Sequence, residues 1–437
     1  MKRIVTTLLL LTVFGAGWAQ TFDKAKLDQF FDKLIEKKKA MGSLYMAKDG
    51  KAIYQRSIGY SYISETEKKP IDAATKFRIG SVTKMFTAAM VFQLAEEGKL
   101  KLTDTLNKFF PQVPGAGKIT IENILAHRAG IHDIVQDRNF RPSRTQPITK
   151  DEMLGIIAKT TPDFEPDEKY AYSNTGYIIL GCIIEKVTGK SYEEVLKKKI
   201  TTKIGLKDTY SNNNIDVNKN ESLSYKSGRD WELQPETHTS ILFGSGSLTS
   251  TPSDLAKFIQ ALFDRKLISK ESLSRMMQLK SGMDTFTYNG KTLYGHTGGV
   301  DGFGSWLVYL PEEKLAVCYA TNAKVYPVGD IMDGIFNIYW DKPFNIPAFE
   351  SIAIAREVLD TYTGVYTAPP APVRITITRD TDRLFLQMNS QSPIPLEPVA
   401  ENKFKIEPAG PALEFDVTKK QLTLIRNDRE KVFTKEN

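Results

Sequence analysis

Ile79-Gly80-Ser81-Val82-Thr83-Lys84 places a hydroxyl and an amine three residues apart at the mouth of an unusually apolar helix, and the rest of the chain reads as support for that pair. Gly80 frees the backbone to enter a helix sharply, and Ser81 suits a helix start. From Met85 to Ala95 only Thr87 and Gln93 are polar. Such a segment, apolar nearly all round, predicts a helix buried within a domain, stopped at Glu96-Glu97-Gly98. Residues three apart share a helix face, so the Lys84 amine can hydrogen-bond the Ser81 hydroxyl. A buried ammonium needs partners or loses its proton, and either outcome suits activation of a nucleophile. Taken alone, Ser-x-x-Lys better fits a capping serine followed by an ordinary lysine, so the choice falls to chemistry elsewhere in the chain.

With 437 residues, 41% hydrophobic and 25% charged, the composition is globular and too long for one ordinary core, so more than one domain is expected. Residues 1–19 read as an export signal: Lys2 and Arg3, an apolar run from Ile4 to Phe14, then small residues at Gly17 and Ala19. Cleavage before Gln20, with no cysteine there to carry a lipid, predicts a periplasmic or secreted protein. No later apolar run is long enough to span a bilayer. The formal charge of +7 loses two on processing, a mild excess. Runs such as Lys37-Lys38-Lys39 and Lys197-Lys198-Lys199 sit in amphipathic stretches and read as solvated faces, so no nucleic-acid partner is expected. Envelope polymers, peptidoglycan included, stay candidate neighbours. Cys182 and Cys318 lie within apolar segments, which favours two buried thiols. Of four histidines only His127 and His132 are close in sequence and no His-Glu-x-x-His occurs, so neither a metal nor another cofactor is expected.

Phe22 to Lys39 has apolar residues at helical spacing, Leu27, Phe30, Phe31, Leu34 and Ile35. A hairpin follows, Leu44 to Ala47 and Ala52 to Tyr60 about a Lys48-Asp49-Gly50 turn. Helix, hairpin, helix predicts an α+β sandwich, an antiparallel sheet flanked by helices. Leu102 to Ser240 is mostly helical and loop-like, with helices over Ile121 to His127, Lys150 to Lys159 and Thr175 to Val187, and reads as a helical subdomain. Ser247 to Leu262 returns to helix, with Ser253-Asp254 as its expected cap. Ser305 to Leu310 and Leu315 to Ala320 are apolar on both faces and belong inside a covered sheet. Asp341 to Pro347 is a linker by composition, and one more helix is expected over Ile352 to Leu359. Short alternating segments such as Val373 to Ile377, Leu384 to Met388 and Leu422 to Ile425 then predict a small C-terminal all-β barrel or sandwich. The expected division is a catalytic domain over 20–348 and an accessory β domain over 349–437.

A serine hydrolase needs a nucleophile, a base, and donors where negative charge will appear. Ser81 with Lys84 supplies the first. Tyr172-Ser173-Asn174 stands before the Thr175 helix, where Tyr172 relays the serine proton if a nearby ammonium lowers its pKa from about 10. The Asn174 amide is placed to hold Lys84 and a substrate carbonyl. By itself Tyr-x-Asn better fits a half-buried aromatic and a helix cap. His296-Thr297-Gly298-Gly299 precedes a buried strand, and its glycines let a ligand approach closely, with the Gly299 and Ser81 N–H groups as an oxyanion hole. Glycines there also fit a plain tight turn. Lys226-Ser227-Gly228 and Lys280-Ser281-Gly282 look more like a Lys-Ser/Thr-Gly box but open no apolar strand, so they rank lower.

Taken in order, Ser-x-x-Lys, Tyr-x-Asn and His-Thr-Gly resemble the motif set of the serine β-lactamase and penicillin-binding family. Leu125-Ala126-His127-Arg128-Ala129-Gly130-Ile131, Tyr172-Ser173-Asn174-Thr175-Gly176-Tyr177 and Gly246-Ser247-Leu248-Thr249-Ser250 resemble its supporting phrases, from about Phe22 to Asp341. The tail from Tyr362 is similar to the lipocalin-like β domains that follow some members. The resemblance implies that Ser81 is acylated, that Lys84 and Tyr172 handle its proton, that Asn174 binds the substrate amide, and that His296 and Thr297 hold its distal group. His296 stands where class C β-lactamases carry a lysine, and the His-Thr-Gly form is that of D-Ala-D-Ala carboxypeptidase and D-aminopeptidase relatives.

The expected function is therefore an exported serine hydrolase acting through an acyl-enzyme on amides or esters, peptides with D-residues among them. A class C-like β-lactamase and a non-catalytic penicillin-binding or sensing module are the alternatives. An exposed His296 would carry charge only toward the acidic side, so activity on carboxylate-bearing substrates should weaken as pH rises through its pKa. The lack of any Gly-x-Ser-x-Gly argues against an α/β-hydrolase.

Overall fold

Helix α1 (Lys24–Glu36) leads into a hairpin of β1 (Ala40–Lys48) and β2 (Lys51–Ile58), turned through Asp49 and Gly50, both at positive φ. The computed structural model describes residues 22–137, 140, 144–227, 231–349, 352–369, 371–389, 393–406, 410–426 and 429–436, so the expected export signal lies outside the described residues. Helix α2 (Thr83–Glu96) follows, then α3 (Ile121–Leu125), α4 (Lys150–Ile157) and α5 (Asn174–Thr188), the middle part of the chain being helical and loop-like as its pattern predicts. Helix α6 (Pro252–Phe263) precedes β3 (Asp284–Tyr288), β4 (Lys291–Val300), β5 (Phe303–Leu310) and β6 (Leu315–Lys324), and α7 (Val328–Tyr339) closes the unit.

The opening hairpin docks on strands from far along the chain: β6 pairs antiparallel with β1 from Ala40↔Lys324 to Lys48↔Leu315, which gives the sheet order β3-β4-β5-β6-β1-β2. Strand alternation explains the layering. On β5, Leu307 and Tyr309 join a core with α2, α5 and α6, while Val308 and Leu310 join a second core with α1 and α7. Strands apolar on both faces are thus covered on both sides. Every residue from Thr83 to Leu94 of α2 is buried, as expected of a helix with no polar stripe.

Three local differences from the sequence pattern have tertiary causes. Ser247 to Leu262 is not helical throughout, because Leu248–Ser250 is a strand pairing with Phe77–Arg78 on one side and Tyr210–Ser211 on the other. Helix α6 begins only at Pro252, capped by the Thr251 hydroxyl on the Asp254 N–H and not by Ser253-Asp254. The expected helix at Ile352 starts at Arg356, as α8 (Arg356–Tyr362). The predicted linker has no regular structure over 342–349, yet Phe344 packs on Phe30 (ring centroids 5.2 Å) and Phe349 on Tyr326 (5.0 Å).

Beyond α8, the described residues form nine antiparallel strands between Gly364 and Lys435. The first, Gly364–Ala368, pairs with the last, Arg429–Lys435. The two edge strands, Ile394–Pro395 and Glu397–Ala400, are separated only by Leu396, so the sheet curls nearly shut around Ile375, Leu386, Phe404, Phe415 and Phe433.

Candidate active site

The turn before α2 is held from three sides. Ile79 donates its N–H to the Leu248 carbonyl, the Ser305 hydroxyl donates to the Ile79 carbonyl at 2.8 Å, and the Leu248 N–H donates to Thr83 Oγ1. Gly80 is in the left-handed region (φ +49°), and a Cβ placed on it would stand 2.6 Å from the Gly299 nitrogen. Only glycine lets the two segments meet, and this contact sets the main chain of Gly299 beside Ser81. Ser81 is no cap; it lies within a 3₁₀ turn, Gly80–Val82, that feeds α2.

Lys84 is fully buried. Its Nζ lies 2.8 Å from Asn174 Oδ1, 2.8 Å from the Ser245 carbonyl and 3.1 Å from Ser81 Oγ. A neutral amine has two N–H donors and one lone pair; two carbonyl-type acceptors use the donors, which leaves the lone pair for the Ser81 hydroxyl. Burial pushes the amine down to about 7, with the Asp133 carboxylate opposing, so the free base is abundant at neutral pH.

The Tyr172 hydroxyl donates to Ser81 Oγ at 2.8 Å, with Lys84 Nζ 4.8 Å from its ring centroid. Its expected shift is reversed. Tyr172 is 37% exposed, but the crowding that desolvates its hydroxyl pushes the phenol above its ordinary value, outweighing the Ser81 bond, so Tyr172 stays protonated and the amine is the group able to take a proton. Asn174 is not the cap of α5 either, since the Ser173 hydroxyl takes the Gly176 N–H in that role. Its amide oxygen faces Lys84 and its nitrogen donates to Asp133 Oδ2 at 2.9 Å.

β3 pairs with β4 only as far as Asp284↔Gly295, which leaves the edge from His296 to Val300 without a strand partner on that side among the described residues. An extended ligand can add to such an edge through main-chain hydrogen bonds. His296 and Gly298 point inward, where a Cβ on Gly298 would lie 2.0 Å from the Ile79 carbonyl oxygen, whereas Thr297 and the exposed Gly299 face the other way. His296 corrects the expectation of an exposed side chain: it is 4% exposed, its Nδ1 bonded to the Thr297 carbonyl. Burial, with the Lys84 charge adding, pushes it down to about 4. Any loss of carboxylate specificity through His296 is thereby moved below the ordinary histidine range. Relative kcat/KM for carboxylate-bearing and neutral substrates should be flat from about pH 5 to 8, the range in which an ordinary histidine titrates, and a pH-rate series on the two substrates measures it.

This arrangement has relatives. A family model described as Beta-lactamase matches residues 27–336. The chain belongs to the beta-lactamase family. A penicillin-binding protein of Bacillus subtilis (strain 168) is 26% identical over 426 residues, 89% of this chain and 93% of that protein. Teichoic acid D-alanine hydrolase of Staphylococcus aureus is 26% identical over 327 residues, covering 72% of this chain and 78% of its own length. The octameric penicillin-binding protein homologue from Pyrococcus abyssi superposes with a TM-score of 0.64 at 25% identity, over 94% of this chain and all of that one. This beta-lactamase-family chain is a serine hydrolase, in keeping with the resemblance of its motifs.

Neither lower-ranked box enters the family site. Lys226 pairs with Glu232, with Gly228 outside the described residues, and Lys280-Ser281-Gly282 packs on α2, where a Cβ on Gly282 would be 2.5 Å from the Lys84 carbonyl oxygen. Four contributors carried no motif signal of their own. The Ser245 carbonyl has no side-chain signature. His127 stacks on the Tyr172 ring (centroids 4.5 Å, 27°) and accepts the Ser173 N–H, and only the surrounding phrase marked it. Lys324, the last residue of β6, sets its ammonium 3.6 Å from where a Cβ on Gly299 would be. Asp133 follows His132 in a loop, and its residue type there has no signature of its own.

His132 itself bridges Asp163 (2.8 Å) and Asp137 (3.0 Å), and its pKa is raised, chiefly by the Asp163 bond. A folded pKa above the unfolded value of about 6.5 adds stability that is complete below 6.5 and lost as pH rises through the folded pKa. The Tm gap between the native chain and His132→Gln should accordingly be widest near pH 5.5 and narrow toward pH 8, as thermal melts across that range would read.

Proposed function

We propose that the chain is an exported acyl-enzyme hydrolase of amides or esters in D-amino-acid compounds, a carboxypeptidase-, D-aminopeptidase- or esterase-like enzyme. The observation that carries this reading is Ser81 Oγ within bonding reach of both the buried Lys84 amine and the protonated Tyr172 phenol. Lys84 takes the Ser81 proton as Oγ attacks the carbonyl; Tyr172 gives its hydroxyl proton to the leaving group and is restored by the proton held on Lys84, so the amine and the phenol end as they began. The Ser81 and Gly299 N–H groups receive the oxyanion. Asn174 binds the acyl-side amide with the hydrogen its Asp133 bond leaves over, and the β4 edge at His296 and Thr297 seats the distal part. The bacterial penicillin-binding and D-alanine hydrolase relatives support the substrate class. Residues 1–19 support export to the periplasm or beyond, where such compounds occur.

The test is intact mass over time after adding penicillin, beside hydrolysis of D-alanyl amide, ester and D-Ala-D-Ala peptide substrates. The expected result is a long-lived penicillin adduct with turnover of at least one D-alanyl substrate. Steady penicillin turnover would assign a β-lactamase instead, and no adduct with any probe would leave a binding module.

A further inference from the structure

We infer that Asp133 is a positioning residue whose carboxylate locks the Asn174 amide with its oxygen toward Lys84. The inference rests on the proposed role of Lys84 as base. Asp133 lies in the loop after α3, far in sequence from both partners. Its Oδ2 accepts from Asn174 Nδ2 at 2.9 Å, and its Oδ1 stands 3.4 Å from both the Thr175 N–H and the Thr175 hydroxyl. The Thr175 hydroxyl in turn accepts the Ile134 N–H at 3.1 Å, so the loop is tied to the start of α5 at both Asp133 and Ile134.

A primary amide has two orientations of nearly equal shape that exchange its acceptor for its donors. A carboxylate accepts only, so beside Asp133 the Asn174 nitrogen must face the carboxylate and the oxygen must face Lys84. In the flipped state the amide would oppose its N–H groups to those of Lys84, and the amine would lose one of its two acceptors. The serine would then compete for a donor where the mechanism needs a lone pair. Asp133 also supplies a carboxylate that faces Lys84. The other titratable groups around that amine are His127 and His296, both held neutral by burial, and the phenols of Tyr172 and Tyr177, both held protonated. The carboxylate favours the ammonium form, which gives the device a pH signature that a merely structural loop contact lacks.

The experiment is kcat and kcat/KM against pH for the full chain and for Asp133→Asn, with the rate of Ser81 labelling by a fluorophosphonate. Asp133→Asn is expected to lower kcat and the labelling rate roughly 10- to 100-fold, the scale of a misplaced reacting group, and to move the acid limb to lower pH, because the amine loses the charge that favoured its protonation. An unchanged rate with an unmoved limb overturns the inference. Should that variant not fold, Asp133→Glu carries the test: the charge is kept, so the limb stays, while the longer side chain displaces the amide and kcat falls; unchanged kcat there overturns it equally. If the proposed function itself is wrong, the unmodified chain takes no label at Ser81, a result separable from labelling that simply ignores Asp133.

Discussion

Ser81→Ala is expected to abolish every covalent adduct and to lower kcat/KM by about 10⁶-fold, the scale on which removing a nucleophilic serine acts. On the proposed mechanism the hydroxyl forms the bond, and neither neighbour is placed to replace it: Tyr172 is held protonated, and the Lys84 amine is fully buried and anchored to Asn174 and Ser245, behind the position the hydroxyl occupies. The main-chain donors at residues 81 and 299 survive the change, so ligand binding should persist while chemistry stops. Intact mass after fluorophosphonate treatment, with kcat/KM on the best D-alanyl substrate, reads both. Ser272→Ala, on the helix Lys270–Gln278, is a suitable control. Ser305→Ala is not, because Ser305 pins the Ile79 carbonyl two residues before the nucleophile. Retained labelling in Ser81→Ala would place the nucleophile elsewhere and dismantle the site.

Lys84→Met is expected to cost roughly 10²- to 10⁴-fold in kcat/KM, the contribution of a positioned general base, and to do so without lowering Tm. The reason lies in the direction of the pKa shift. The unfolded chain binds a proton at lysine's ordinary value near 10.4, whereas burial holds the folded amine down to about 7. Between those values the unfolded state binds more protons, so this group opposes folding at neutral pH and does so less as pH rises. A thioether of similar length fills the space with no charge to desolvate. The native enzyme should show an acid limb near pH 7 in kcat/KM, and Lys84→Met should lack it. A variant that keeps both the limb and the rate would assign the base to another group.

The molecule therefore carries a destabilising group at its most buried helix, and that same feature made the region readable. Gly80, Ser81 and Lys84 stood out as candidates because a helix with no polar face and one lysine is at odds with burial unless the lysine has partners, and the other two motifs then favoured the catalytic reading. Those partners were only half legible. Asn174 was visible because it sits in a phrase with Tyr172 next to a helix. Asp133 was not, since a carboxylate beside a histidine in a loop looks like any solvated pair. Local pattern also placed the apolar strands of the sheet and the alternating C-terminal segments, whose period of two is independent of context. It missed the strand at Leu248–Ser250, which is three residues long and exists through its pairing with Phe77–Arg78 and Tyr210–Ser211.

The candidate reacting groups, the buried helix that bears Lys84 and the covered sheet beside it were legible in residue type, spacing and the family resemblance those motifs carry, because hydrophobic periodicity and short-range geometry act within a few residues. Protonation was decided by the tertiary structure. Whether Tyr172 gains or loses proton affinity, whether His296 is wet or dry, and which end of the Asn174 amide meets Lys84 depend on desolvation and on carbonyls and carboxylates that arrive from residues 133 and 245, and those distances come into being only when the segments fold against one another.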